Sequence, residues 1–296
     1  WPQRRAVRAW SLALLLTANL WIWPAALRSH QGMRVIFFDV GQGDAALISF
    51  PNRVHYLIDS GEANERYDCG KSLLLPWLRR NHIGHIDLAL ITHSHSDHAG
   101  GVQTLMRQGR IRNIGHPGGA ALPAFRALDS LAAQSGVGVN LLADGDEFFP
   151  ARGGWLRILQ TGGAGEQWDE NNGSMVIRLQ YGGRVFLFLA DIEAEGERNL
   201  LRYGSFLRSD VVKVAHHGSS TASSEGLLDA VGAGWAVISV GRNNRFTLPA
   251  PGVVAHWMEK KSCVLRTDEH GAVIFRSDGE ALHCLRPEIA PLSAKD

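Results

Sequence analysis

Cysteine is scarce: Cys69, Cys263 and Cys284 are all there are in 296 residues. Three are too few for a disulfide framework, so the fold must rest on a hydrophobic core. Cys263 and Cys284 fall in segments 262–267 and 280–285, which read as neighbouring C-terminal strands. One bridge and a pair of buried thiols are both open readings. Cys69 sits in a polar loop where nothing marks it as reactive. An excess of one charge is missing too. There are 30 Lys and Arg against 29 Asp and Glu, a net charge of +1, which excludes a nucleic-acid binder working through bulk charge. Basic contacts would have to come from local groups such as Arg79-Arg80, Arg107/Arg110/Arg112 and Arg242/Arg245, which read equally well as solvated surface. Neither a repeat of fixed period nor a low-complexity linker is present, so a solenoid is excluded and one domain is the simplest account. A hydrophobic fraction of 45% is ordinary for a globular protein with one large core.

A chain opening on Trp1 reads as a fragment or a processed product. Residues 10–27, WSLALLLTANLWIWPAAL, form an uncharged and largely apolar run behind Arg4, Arg5 and Arg8. Its length is near the lower limit for a membrane span, and Trp21 and Trp23 suit an interface. Those tryptophans and Pro24 make a poor signal-peptide cleavage site; a buried helix of a soluble domain is the third reading. Taken as a span, the arginines put the cytoplasm before it and everything from about Ser29 outside. The expected organisation is an apolar helix over 1–31, one catalytic domain over 32–286 and a tail over 287–296.

Short apolar runs then alternate with helical spacing. Strands are expected at 33–40, 45–50, 54–59, 86–92, 111–115, 155–160, 175–180, 185–189, 210–215 and 235–240, before a terminal hairpin. Helices are expected at 73–81, 102–108, 124–134, 194–202, 224–230 and 250–260. Meanders interleaved with helices in two similar halves predict an α/β sheet sandwich flanked by helices.

The strongest chemical signal is His93-Ser94-His95-Ser96-Asp97-His98, between a buried strand and a helix. Neutral imidazoles and a carboxylate suit zinc or manganese. Four donors in so short a loop can feed two ions, the arrangement that clamps both oxygens of a displacement. A surface histidine cluster or a capping loop is the plainer reading, and the flanking strand and helix argue against it. Asp191, at the end of strand 185–189, is placed to bridge two metals, although a lone strand-end Asp is more often a helix cap. His216-His217-Gly218-Ser219-Ser220 ends strand 210–215, offering a last ligand and donors for an anion. Asp59 is expected to orient a ligand imidazole.

Together these motifs resemble the metallo-β-lactamase superfamily, whose fold is an αβ/βα sandwich. More narrowly, Asp39-Val40-Gly41-Gln42-Gly43-Asp44, Leu57-Ile58-Asp59-Ser60-Gly61, Asn171-Asn172-Gly173-Ser174, Lys213-Val214-Ala215-His216-His217-Gly218-Ser219 and Ser239-Val240-Gly241 resemble the C-terminal domain of ComEC, the competence DNA-uptake channel. The resemblance runs from about 33 to 276. It implies an extracytoplasmic domain at the inner (cytoplasmic) membrane, following a multi-helix channel of the same protein. It also implies a nuclease that degrades the non-transforming strand, with single-stranded DNA as substrate and other competence proteins as candidate partners. On this reading His93 and His95 hold one divalent ion (zinc or manganese) and Asp97, His98 and His216 the other. Asp191 lies between them, and His217 or Ser219 donates to the phosphate. Asn171, Asn172, Asn244 and Arg245 are expected around the substrate. Two positions depart from the pattern. Residues 169–174 hold no histidine where many superfamily members place a third metal ligand, and Leu248 stands where the family usually has His. A hydrolase of small esters, lactams or phosphodiesters, and a non-catalytic DNA-guiding module, are the competing functions.

Overall fold

Successive side chains of a strand point to opposite faces, so a strand covered on both sides must be apolar throughout. β1 (Met33–Phe37) follows this at four of its five positions: Met33, Val35 and Phe37 enter one buried cluster and Ile36 another, and Arg34 is partly exposed. A computed structural model of the protein describes residues 32–118, 122–162 and 168–285, together with Thr17. Its first half continues with β2 (Ala46–Ser49), β3 (His55–Ile58), β4 (Leu88–Leu90), β5 (Asn113–Pro117) and β6 (Gly138–Leu142). The next strands are β7 (Glu147–Phe148), β8 (Gly154–Gln160), β9 (Val176–Tyr181), β10 (Arg184–Phe188), β11 (Val211–Lys213), β12 (Trp235–Ile238) and β13 (Cys263–Arg266). A hairpin of β14 (Val273–Ser277) and β15 (Leu282–Cys284) closes the series.

One sheet runs β15-β14-β1-β2-β3-β4-β5-β6 and the other β13-β12-β11-β10-β9-β8-β7. Met33, Val35, Phe37, Ile48, Phe186, Phe188 and Phe275 fill the space between them. Separate apolar clusters lie under the helices on each outer face. The result is the helix–sheet–sheet–helix sandwich that the sequence predicts. β3 to β6 run parallel, as do β10 to β13. A parallel pair needs a crossover, and helices Leu75–Arg80, Ser96–Arg107, Leu122–Gln134, Ala194–Leu200, Glu225–Val231 and Pro251–Glu259 supply one after each of the leading strands.

The differences from expectation have local causes. The helix expected at 102–108 begins at Ser96, so Asp97 and His98 lie in its first turn, not in a free loop. Gly100 and Gly101 permit close approach: a Cβ would fall 2.1 Å from the Ala63 nitrogen and 2.2 Å from the Ser60 carbonyl oxygen, respectively. β6 and β7 carry little apolar pattern because most of their residues are exposed. β13 and β15 are not neighbours; they lie at the edges of opposite sheets, and Cys263 and Cys284 are free thiols packed against the shared core. The apolar helix expected over 1–31 and the tail over 287–296 lie outside the described residues, apart from Thr17. Among the described residues no helix is long and apolar enough to cross a membrane.

Phe275 sits where the two sheets meet, edge-on to Phe37, Phe186 and Trp235 at centroid distances of 6.2, 5.9 and 5.6 Å. Phe275→Ala should cost about 3–5 kcal/mol of unfolding free energy, read from the midpoint of chemical denaturation.

Candidate metal centre

The parallel strands bring their C-terminal ends to one edge of the sandwich. β3 ends before Asp59, β4 leads to Thr92 and His93, β10 to Ala190 and Asp191, β11 to His216 and His217, and β12 to Ser239. Leaving a strand sharply takes an unusual backbone. Asp59, Ala190, His216 and His217 are left-handed, with φ of 55°, 49°, 47° and 53°, a conformation costing roughly 1–2 kcal/mol for a residue with a Cβ. The turn between β1 and β2 closes on the same place. At Gly43 (φ 127°) a Cβ would fall 2.3 Å from the Asp97 carbonyl oxygen, so glycine is needed for the Asp44 N–H to reach that oxygen at 3.1 Å.

Asp59 organises the histidines. Its buried carboxylate accepts from the Thr92 N–H and hydroxyl, each at 2.8 Å, and from His98 Nδ1 at 2.9 Å. With its proton committed to Asp59, the Thr92 oxygen can accept from His93 Nδ1, 3.1 Å away. His217 Nδ1 donates to the Ser239 carbonyl at 2.9 Å. In all three rings Nδ1 is engaged outward and Nε2 faces inward, the arrangement that prepares a histidine to bind a metal once Nε2 is deprotonated.

The donor atoms of Asp97, His98, Asp191 and His217 lie within 4.8 Å of one another. His98 Nε2 is 3.2 Å and His217 Nε2 3.4 Å from the same Asp191 oxygen, and His217 Nε2 is 3.5 Å from Asp97. Both Nε2 atoms and Asp191 Oδ1 are buried without a hydrogen-bond partner. An unpaired buried polar atom costs about 1–3 kcal/mol. Two imidazoles and two carboxylates aimed at one point therefore fit a divalent cation that takes nitrogen and oxygen donors. Beside them, His93 Nε2 lies 3.0 Å from His95 Nδ1 and 4.0 Å from Asp191, a second and more open group of donors. His95 is half-exposed, its Nε2 3.0 Å from Glu170.

The paired histidines take positions opposite to those expected. His216 turns to the rim, its Nδ1 3.0 Å from Glu193 and 3.4 Å from the Thr221 hydroxyl, while His217 enters the cluster. Two consecutive left-handed residues send their side chains apart, and the Ser239 carbonyl holds the second one inward. Ser219 is also on the rim, paired with Thr221 at 2.9 Å. Asn172 caps helix Ala194–Leu200, accepting from the N–H groups of Glu193 (3.1 Å) and Gly196 (2.8 Å). Asn171 reaches only toward Glu193, at 3.5 Å. Asn244 folds its own loop through Gly241, Phe246 and Leu248, Arg245 lies over the Phe246 ring, and Leu248 packs into the apolar cluster outside β12. None of these last three contacts the cluster. Asp44 and Lys213 carry a role that motif reading did not assign. Buried Lys213 pairs with buried Asp44, and its Nζ lies 3.1 Å from the Ala190 carbonyl and 3.7 Å from Asp191. A lysine inside the apolar strand VVKVA was the available signal, since a buried ammonium requires a counter-ion.

The sequence pattern of the Metallo-beta-lactamase superfamily matches residues 38–242, well over half of the chain. The chain belongs to the metallo-beta-lactamase superfamily. Within that superfamily it is 28% identical over 270 residues to ComE operon protein 3 of Bacillus subtilis, covering 87% of this chain and 34% of that protein. To competence protein ComA of Neisseria gonorrhoeae it is 30% identical over 275 residues, covering 93% and 36%. The chain thus spans about a third of the length of these ComEC-family relatives, and the resemblance to that family holds over most of its own length. Zinc-bound PqqB from Methylobacterium extorquens shares the fold with a TM-score of 0.53 at 14% identity, covering 79% of this chain and 98% of that one.

The superfamily fold concentrates negative charge here. Asp44, Asp59, Asp97 and Asp191 face one lysine, so four negative charges less one positive leave three for imidazolium protons or cations to balance. Burial opposes a charge on His217, but Asp191 and Asp97 outweigh it and raise its pKa to about 9. Burial likewise opposes a charge on His98, and Asp191 and Asp59 raise it well above the usual imidazole range. His93 is held well below that range, first by burial and then by repulsion from His98.

Two outcomes follow. Asp59→Asn should weaken metal binding about 10- to 100-fold, measured by calorimetric titration of manganese or zinc. In chelator-treated protein, protonated His217 contributes stability below its unfolded pKa near 6.5, which is lost as pH rises through about 9. The melting temperature of stripped protein should therefore fall across pH 6.5–9. Because metal must displace that proton, the stabilisation by added metal should grow over the same window.

Proposed function

We propose that this domain is a metal-dependent phosphodiesterase that cuts DNA and degrades the non-transforming strand in a ComEC-like uptake protein. The observation that carries the reading is the convergence of Asp97, His98, Asp191 and His217, with two imidazole nitrogens buried and unpartnered. The fold alone does not select a substrate; the competence relatives named above support DNA. Divalent cations, zinc or manganese by donor type, would supply a Lewis acid for the phosphate and a water of lowered pKa.

The chain's own residues divide the remaining work. Asp97, His98, Asp191 and His217 would hold one cation, and His93 and His95 would offer donors for a second. Asp59 fixes which imidazole nitrogens face inward, and Lys213 keeps the Asp44 and Asp191 carboxylates compatible with burial. His216 and Ser219, on the rim, are placed to donate to a phosphate oxygen or a leaving oxygen. The uncharged run 10–27 behind three arginines supports a last membrane span, with the domain on the extracytoplasmic side beside the channel part of the same protein.

Asp191→Ala and His217→Ala should each reduce metal-dependent cleavage of labelled single-stranded DNA by at least about a thousandfold, with circular dichroism unchanged. His216→Ala should keep the wild-type metal content while losing part of its rate. Full, metal-independent cleavage by Asp191→Ala would refute the proposal.

A further inference from the structure

A cavity of about 440 Å³ opens directly beside His93 and Ser94, next to the metal donors. Pro117, Pro123, Phe125 and Trp168 supply an apolar part of its wall. The back of this wall is rigid, because Phe125 is buried and stacks on the His116 ring at 4.1 Å with the planes 15° apart. His116 is itself buried and held by Asp129 at 2.8 Å. Trp168 is half-buried, and among the described residues no other ring stacks on it. Several polar groups of the cavity are engaged within the protein. Ser94 donates to Glu170 at 2.9 Å, Thr161 to Asp144 at 2.9 Å, and Asp169 accepts from the Asn172 N–H at 2.7 Å.

We propose that this cavity is a stacking subsite for one unpaired nucleobase of the strand whose phosphate lies at the metal centre, with Trp168 as its main platform. The proposal rests on the phosphodiesterase reading above and adds how the strand is held. Three observations support it. The cavity shares His93 with the metal donors, so a nucleotide reaching the cations has its base at the entrance. An indole that shares one cavity lining with two prolines and a phenylalanine suits a flat aromatic ligand. The volume falls in the range of small-ligand sites, roughly 300–1,000 Å³. Because prolines and aromatic rings make up much of the lining, recognition is chiefly by stacking, and little base preference is expected. Since a paired and stacked base cannot enter, the subsite selects single-stranded over duplex DNA.

The test compares full-chain wild-type protein, Trp168→Ala and Trp168→Phe, all metal-loaded, on a labelled thymidine homopolymer and on an abasic strand with the same number of phosphates. Metal content is measured in parallel. Trp168→Ala should raise KM on the base-bearing strand about 5- to 100-fold, leave KM on the abasic strand and the metal content unchanged, and lose the preference for base-bearing strand. Trp168→Phe should restore most of the wild-type KM. An equal rise on both strands, or no rise on either, overturns the subsite while leaving the phosphodiesterase reading standing. Wild-type protein that cuts neither strand overturns that reading and the subsite with it.

Discussion

The burial of several carboxylates within a few ångströms of each other is the constraint on which the rest of this site depends. A single buried carboxylate is costly unless it is paired or fully hydrogen-bonded. Here Asp59 is satisfied by Thr92 and His98, Asp44 is paired with Lys213 through one oxygen, and Asp191 faces two imidazoles with its other oxygen lacking a hydrogen-bond partner. Each solution uses a residue from a different strand end. Loss of one partner would leave a charge stranded, so the strand ends are tied together electrostatically as well as by packing.

The sandwich makes that arrangement attainable. Two parallel strand sets, each preceded by an antiparallel meander, direct their C-terminal ends to one edge, and apolar clusters on three levels keep the sheets from shifting. Ligand-bearing residues then sit on the ends of rigid elements, which gives better precision than a free loop. Asp97 gains further from the first turn of its helix, where the unpaired N–H groups favour a carboxylate. The left-handed residues at the strand ends are local costs offset by the surrounding core.

The two donor groups differ in finish. Asp97, His98, Asp191 and His217 are drawn tightly together, and the rings of His98 and His217 are fully buried; His93 and His95 form a looser pair whose outer ring meets Glu170 near the surface. The looser pair is the one beside the cavity and the exposed rim.

Much was legible from residue order alone. The alternation of apolar residues revealed the sheets, and the run from His93 to His98 with Asp191 and the paired histidines pointed to a cluster able to bind metal, because imidazoles and carboxylates at rigid strand ends are common metal donors. Asp59 was readable as an orienting group for the same reason. Residue order could not decide which of His216 and His217 turns inward, since that depends on two left-handed backbone angles and on a carbonyl from β12, more than twenty positions away. Nor could it place Cys263 and Cys284 in opposite sheets, pair Lys213 with Asp44, or bring Trp168 and Phe125 to one cavity. Contacts between distant segments carry no local period; they exist only once the sheets have packed and the strand ends have met.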